Sequence, residues 1–361
     1  MALTKRFVKE RDMIEFSTFF GRHWGEDHIL ARDQKFARWQ MNVRNHREFE
    51  DAALAGIGYF DGDQLMGFMG AMPMPFNLDG VRVPGTWLCN LLAAPETHNR
   101  GIGLKLMTAV HSLPFQVIGA VGINLNVIPM YRAMRYVTGD RVPRYIRVLD
   151  SERFAELAHG DGWRDSPLHS IHPIKDHRTE TVTGVPEDWN AAWQDFTKRG
   201  YAGTERDADY ITWRYLDHPL LEYKVAVTYG AGGKAMGLCV WRIEPIRDSD
   251  VAVCRLIDLI ALSPNAVHAL AAIVEEDACT HDCVMIDHFS THSIANDLCG
   301  ASWFREDAVP ECKIPCLFQP LAPGRRDMNY AVRFPKRHGM DPVDPAKVHI
   351  VKSDGDQDRP N

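Results

Sequence analysis

The stretch from Trp87 to Tyr136 constrains the fold of this chain most. An apolar run, Trp87 to Ala94, ends at Pro95-Glu96-Thr97. It is followed by His98-Asn99-Arg100-Gly101-Ile102-Gly103, after which LKLMTAVHS has helical spacing. A strand that turns through glycines into a helix brings backbone N–H groups together at the helix N-terminus, where the dipole favours an anion. The pattern predicts a pyrophosphate cradle. Ile102, Leu106, Met107 and Val110 give that helix one apolar face, and Pro114 ends it. FQVIGAVGINL then reads as a second buried strand, Asn124 to Tyr136 as a short helix, and Arg144 to Asp150 as a strand closing the unit.

Upstream, residues 5 to 45 read as helical. Phe16, Phe19, Phe20 and Trp24 recur at three and four residues as a core-facing stripe, and Asp33 caps a second segment. Between residues 52 and 86, ALAGIGYF and QLMGFMGAMPM flank a hairpin turn at Asp61-Gly62-Asp63, and Asn77-Leu78-Asp79-Gly80 makes another before VRVPGTW. The result is a mixed, mostly antiparallel sheet flanked by helices.

A chain of 361 residues is long for one hydrophobic core, which divides it into two units. The expected division is a first domain over 1–150, a polar linker or peripheral segment (a short helix plus loop) over 151–185, a second domain over 186–338 and a tail over 339–361. The second domain repeats the order of the first. Leu88–Pro95 aligns with Leu256–Pro264, which sets Asn90 opposite Asp258, and Tyr131–Tyr136 aligns with Leu298–Phe304. The second copy has no glycines after its central strand, so no phosphate cradle is expected there.

A net charge of −7 supplies no basic excess for a nucleic-acid partner. No apolar run reaches the roughly 20 residues of a membrane span, and MALTKRFVKERDM lacks an apolar leader, so the expected location is cytoplasmic. The eight cysteines form no disulfide framework. Cys279/Cys283 and Cys312/Cys316 have CxxxC spacing, which is not a standard zinc knuckle, and no metal is expected. Cys89 reads as a small apolar filler. The acidic tail Asp354-Gly355-Asp356-Gln357-Asp358 reads as solvated, with one alternative: it folds back and offers carboxylates to a cationic amine.

Two motifs together resemble the GCN5-related N-acetyltransferases. The family's Arg/Gln-x-x-Gly-x-Gly/Ala loop is matched by His98 to Gly103, after Pro95-Glu96. Its Asn-x-x-Ala-x-x-x-Tyr motif, with an aromatic five residues on, is matched by Asn124, Val127, Tyr131 and Tyr136. His98 replaces the usual Arg or Gln, Val127 the Ala, and Arg135 the Gly before the final aromatic. The resemblance is clear over residues 5 to 150 and extends to 186–335 in topology only, as in tandem members with a degenerate second domain.

The resemblance implies an α/β fold of two tandem domains and an acyl-CoA cosubstrate, acetyl-CoA being the first choice. It implies pyrophosphate binding by His98, Asn99, Arg100, Gly101, Ile102 and Gly103, and thioester contacts from Leu92, Ala93 and Ala94. Asn124 would contact the pantetheine, and Tyr131 would protonate the leaving thiolate. Asn90 would orient the acceptor or a water. Asp258, Asp287 and His288 would reach the acceptor from the second domain, which otherwise mediates homodimerisation. The expected acceptor is a small amine, an amino sugar of surface-polysaccharide synthesis being the narrower choice. The alternatives are an aminoacyl-tRNA-dependent transferase and a non-catalytic acyl-CoA sensor. No general base is identified.

Overall fold

The computed structural model describes residues 3–43, 47–165, 177–247, 249–309, 312–316, 318, 327–335 and 347–360. The first strand, β1 (Thr4–Phe7), precedes α1 (Met13–Trp24), α2 (Ile29–Arg32) and α3 (Gln34–Gln40). Phe16, Phe19 and Phe20 are wholly buried, whereas Trp24, expected in the same stripe, is 39% exposed. Asp33 caps α3 by accepting from the Phe36 N–H.

Hairpins then build the sheet. β2 (Gly56–Asp61) turns into β3 (Gln64–Leu78), which turns through Asp79-Gly80 into β4 (Val81–Ala93). VRVPGTW and the apolar run after it, read separately in the sequence, are thus one strand. α4 (Ile102–His111), β5 (Val117–Val121), α5 (Ile128–Ala133) and β6 (Val137–Gly139) follow.

The second half starts earlier than its sequence suggested. β7 (Arg144–Val148) pairs with a strand near the end of the chain, not with the first sheet. α6 (Ser151–Leu157) and β8 (Arg178–Val182) come from the segment read as a linker. α6 buries Phe154 and Leu157 beside Trp163 in a cluster with Ile146 and Met285. α7 (Trp189–Thr197), β9 (Ala202–Thr204) and α8 (Ala208–Ile211) lead to β10 (Lys224–Tyr229), β11 (Ala235–Pro245) and β12 (Ala252–Ala261). α9 (Pro264–Thr280), β13 (Cys283–Phe289), β14 (Phe304–Arg305), β15 (Tyr330–Arg333) and β16 (Val348–His349) complete the order.

One sheet runs β1-β2-β3-β4-β5-β15-β6, with β9 on the end of β3 and β16 beyond it. The other runs β14-β7-β13-β12-β11-β10-β8. Both are mostly antiparallel. β15, expected to close the second unit, instead fills the slot between β5 and β6, while β7 crosses the other way. The alternation of apolar residues fixes which face of a strand is buried but not which ladder it joins. Each unit therefore lends a strand to the other, and one hydrophobic cluster runs continuously from Phe16 through Trp193 and Ile260 to Ile350.

The tail corrects its solvated reading. Ile350, Val351, Ser353 and Asp354 are at most 1% exposed, and Asp358 is 2% exposed. Buried carboxylates need partners. Asp354 accepts from Arg206 at 3.0 Å and Thr204 at 2.7 Å. Asp358 accepts from Arg242 at 2.9 Å and Tyr223 at 2.6 Å. Burial alone would raise the Asp358 carboxyl, but Arg242, Lys352 and Arg214 outweigh it and hold it well below the usual range.

Histidines line the same interior. His288 and His349 are at most 1% exposed, and His288 Nε2 and both His349 ring nitrogens have no hydrogen-bond partner. Burial, with Arg206 nearby, pushes His292 down to about 4 and His349 well below 6.5. Burial and Arg214 push His218 down to about 3.

The folded state therefore refuses protons that unfolded histidines accept from pH 6.5 downward. Stability from these groups is complete above that pH and falls as pH drops toward 4, by up to about 1.4 kcal/mol per pH unit per histidine. Urea midpoints measured from pH 7.5 to 4.5 should decline below about 6.5, and His349→Leu should flatten the slope. A midpoint unchanged down to pH 5 would contradict this.

Candidate active site

The site begins with a break in the β3–β4 ladder. Gly70 pairs with Cys89 and Phe68 with Leu92, so Asn90 and Leu91 together face Met69 alone. This is a β-bulge, and Asn90 occupies it with φ of +56°, a left-handed conformation that asparagine tolerates better than most residues. On its other edge β4 pairs in parallel with β5 only from Gly85↔Val117 to Leu88↔Ala120. Past Leu88 the two strands have no ladder between them. A bulge and a splay thus coincide at one point.

A cavity of about 470 Å³ fills this opening. Leu88 to Leu91 line it from β4, Ala120 to Asn124 from the end of β5, and Tyr131 from α5. Trp24 closes one side, and Asp356, Gln357 and Arg359 enter from the tail. Three residues singled out in the sequence (Asn90, Asn124 and Tyr131) therefore meet here. Trp24 and Gln40 were missed, and the tail entered the sequence reading only as the alternative in which it folds back. Gln40 is buried and accepts from Asn90 Nδ2 at 3.2 Å, which fixes the amide in the bulge.

The tail crosses the splay against the end of β5. Gly122 has φ of +68°, and a Cβ there would come within 2.2 Å of the Gln357 side chain. Only glycine lets the tail lie this close. Asp356, 8% exposed, accepts from the Gln357 amide at 2.8 Å and faces Arg359 at 3.3 Å. Arg359 also reaches Asn90 Oδ1, at 3.5 Å. The tail thus brings a carboxylate and a guanidinium to the bulge.

Tyr131 is 4% exposed, and its ring meets Tyr136 edge-on at 5.0 Å. Burial and the nearby Asp356 raise its phenol well above 10, so the hydroxyl is protonated at neutral pH. The Tyr136 hydroxyl lies 2.6 Å from His111 Nε2. Burial and Asp356 likewise push the Cys89 thiol well up, which leaves it no nucleophilic character and agrees with its reading as filler.

The glycine turn forms as its pattern indicates. Residues 95–100 make a 3-10 turn, Gly101 takes φ of +63°, and α4 starts at Ile102, which is buried with Leu106 and Met107 under the sheet. The space where Cβ atoms on Gly101 and Gly103 would stand is open, so the N-terminal N–H groups of α4 face a clear approach. Arg100 is exposed; the side chains of His98 and Asn99 lie outside what is described. The backbone and space here fit a pyrophosphate.

Other expected residues do not meet in this cavity. Leu92 and Ala93 stay in the ladder with Phe68 and Gly67, and the Ala94 N–H is taken by the Met66 carbonyl. Asp258 is wholly buried, accepting from Arg206 at 2.6 Å and Tyr215 at 2.8 Å. Asp287 is held by Arg144 at 2.7 Å and Arg255 at 2.8 Å, and His288 Nδ1 is tied to the Leu256 carbonyl. Among the described residues, no group of three or more His, Cys, Asp or Glu is arranged to hold a metal ion, and no helix is long and apolar enough to cross a membrane.

The second sheet repeats the break. Val240 pairs with Asp258 and Trp241 with Leu256, leaving Ile257 extra, and the parallel pairing of β12 with β13 ends at Leu256↔His288. Leu256 and Asp258 thus correspond to Leu88 and Asn90. This splay is closed by the Arg206–Asp258–Tyr215 network.

The fold is similar to that of solved structures. A probable N-acyltransferase of Enterococcus faecalis V583 aligns over 92% of this chain and 73% of its own, with a TM-score of 0.56 and 13% identity. A GCN5-related N-acetyltransferase of Anabaena variabilis aligns over the same shares, with a TM-score of 0.57 and 12% identity. N-myristoyltransferase of Saccharomyces cerevisiae, solved with myristoyl-CoA bound, aligns over 91% of this chain and 82% of its own, with a TM-score of 0.51 and 13% identity. No family model and no curated protein matches the sequence. The chain has the GCN5-related N-acetyltransferase fold, as two tandem units.

Proposed function

We propose that the protein is an N-acyltransferase that moves an acyl group, acetyl in the first instance, from coenzyme A to a primary amine of a small acceptor. The observation that carries this reading is the meeting of a bulged, splayed β4 with Tyr131 and Asp356 in one cavity beside an open glycine turn. The N-terminal N–H groups of α4 would hold the pyrophosphate, with Gly101 and Gly103 leaving room for it. The splay between Leu88–Leu91 and Ala120–Asn124 would take the pantetheine and thioester.

Coenzyme A supplies an activated thioester carbonyl and a thiolate leaving group. The chain's own residues manage the protons. Asp356 accepts one from the amine as its nitrogen attacks, the C–N bond forms as the C–S bond breaks, and Tyr131 donates its proton to the sulfur. Asp356 is the base missing from the sequence, and it removes the main argument for a non-catalytic sensor. A cytoplasmic location, and a second unit that shapes the acceptor side instead of mediating dimerisation, belong to the same reading.

Acetyl-CoA should raise the melting temperature of the purified protein. Gly103→Glu meets no neighbour, because the space at its Cβ is open, but sets a negative charge where the pyrophosphate would lie. It should abolish the shift while leaving the free protein's melting temperature unchanged. A shift that survives this substitution would place the donor elsewhere. Asp356→Asn should lower kcat by about a hundredfold or more. Tyr131→Phe should lower kcat while leaving acetyl-CoA binding in place. An unaltered kcat in Asp356→Asn would exclude the carboxylate as base.

A further inference from the structure

Two arginines buried elsewhere in the chain spend every nitrogen on the protein. Arg206 spends Nε on Asp258, one terminal nitrogen on Tyr201 and Thr204, and the other on Asp354. Arg144 gives Nε and one terminal nitrogen to Asp287, that same nitrogen also to the Pro315 carbonyl, and the other terminal nitrogen to the Ile314 carbonyl. Arg359 differs. Its only hydrogen bonds are from one terminal nitrogen, at 3.5 Å to Asn90 and 3.3 Å to Asp356, both long for such contacts. Among the described residues its Nε and second terminal nitrogen have no acceptor, although the side chain is only 30% exposed and lines the cavity. A guanidinium with two parallel donors free is shaped for a carboxylate.

The Asp356 carboxylate lines the same cavity, so free guanidinium donors and an acceptor stand together at the place the amine must occupy.

We propose that the acceptor is an amino carboxylate, a free amino acid or a close relative, whose carboxylate is taken by Arg359 while its amine faces Asp356. This rests on the N-acyltransferase reading. Arg359 sets specificity and takes no proton. An amino sugar brings the amine but offers nothing to the two free donors of the guanidinium, and a site built to pair a substrate group discriminates against ligands that lack it.

The test uses the full chain, acetyl-CoA and matched acceptors: phenylalanine against phenethylamine, lysine against cadaverine, alanine against ethylamine, and glucosamine. Thiol release should show an amino acid exceeding its decarboxylated partner and glucosamine in kcat/KM by at least a hundredfold. In Arg359→Gln that ratio should fall at least tenfold, through KM, and Arg359→Lys should recover part of it. Calorimetry without donor should show the amino acid, but not its decarboxylated partner, binding to the unaltered protein. The proposal is overturned if the decarboxylated amines or glucosamine serve as well as every amino acid. It also falls if Arg359→Gln lowers kcat equally for both members of each pair, which would mark a purely structural role. Acetyl-CoA turnover with amines but no carboxylate preference sinks this proposal alone, whereas absence of any acetyl-CoA binding brings down the transferase reading with it.

Discussion

The fold depends on burying the carboxylates of a short C-terminal segment against arginines from the second unit. Asp354 and Asp358 would be prohibitively costly in a low-dielectric interior by themselves, as would Arg206 and Arg242. Each supplies what the other lacks. Removing one partner from a buried pair commonly costs about 3–5 kcal/mol, so the segment is held at several points at once. Its path runs from Ser353 beside Tyr215 and Asp258, at the closed splay of the second sheet, to Gln357 against Gly122, at the open splay of the first.

That path explains why one copy of the repeat keeps a site and the other does not. Both sheets carry a bulge and a parallel pair that ends at equivalent residues, Leu88 and Leu256. In the second sheet the space past the bulge is filled by an ionic network centred on Asp258. In the first the corresponding residue is the neutral Asn90, held by Gln40, and a cavity is left. The second sheet has no glycine turn after β12 and holds buried charge past its bulge, where the first leaves open space. The exchange of β7 and β15 between sheets locks the geometry, because neither sheet is complete without strand residues from the other half of the chain.

Much of the first site was legible in the sequence. Gly101, Asn124 and Tyr131 stand at positions where local spacing and backbone demands leave few choices, and their motifs led to the loop, the helix after it and two residues that line the cavity. The exchanged strands were not legible, because the alternation in RYIRV or YAVR fixes a buried face and not a neighbour. The tail was misread because alternating acids without apolar periodicity look solvated. The signal that could have corrected it lay elsewhere. Arg242 in LCVWRIE and Arg255 in VCRLID sit inside apolar strands, and an arginine there must find an acid. Their acids are Asp358 and Glu244 for Arg242, and Glu244 and Asp287 for Arg255. Arg359 could not be found from spacing at all, since the role proposed for it comes from donors left unused after folding.

The most direct measurement is amide hydrogen–deuterium exchange of the full chain with and without acetyl-CoA. A donor bound in the splay of the first unit should slow exchange at residues 88–91, 101–105, 120–124 and 356–360 together, and leave the equivalent break at 256–260 and 288–291 unaffected. Protection confined to other surfaces, or equal protection at both breaks, would contradict an acyl-CoA site built from one sheet and the tail.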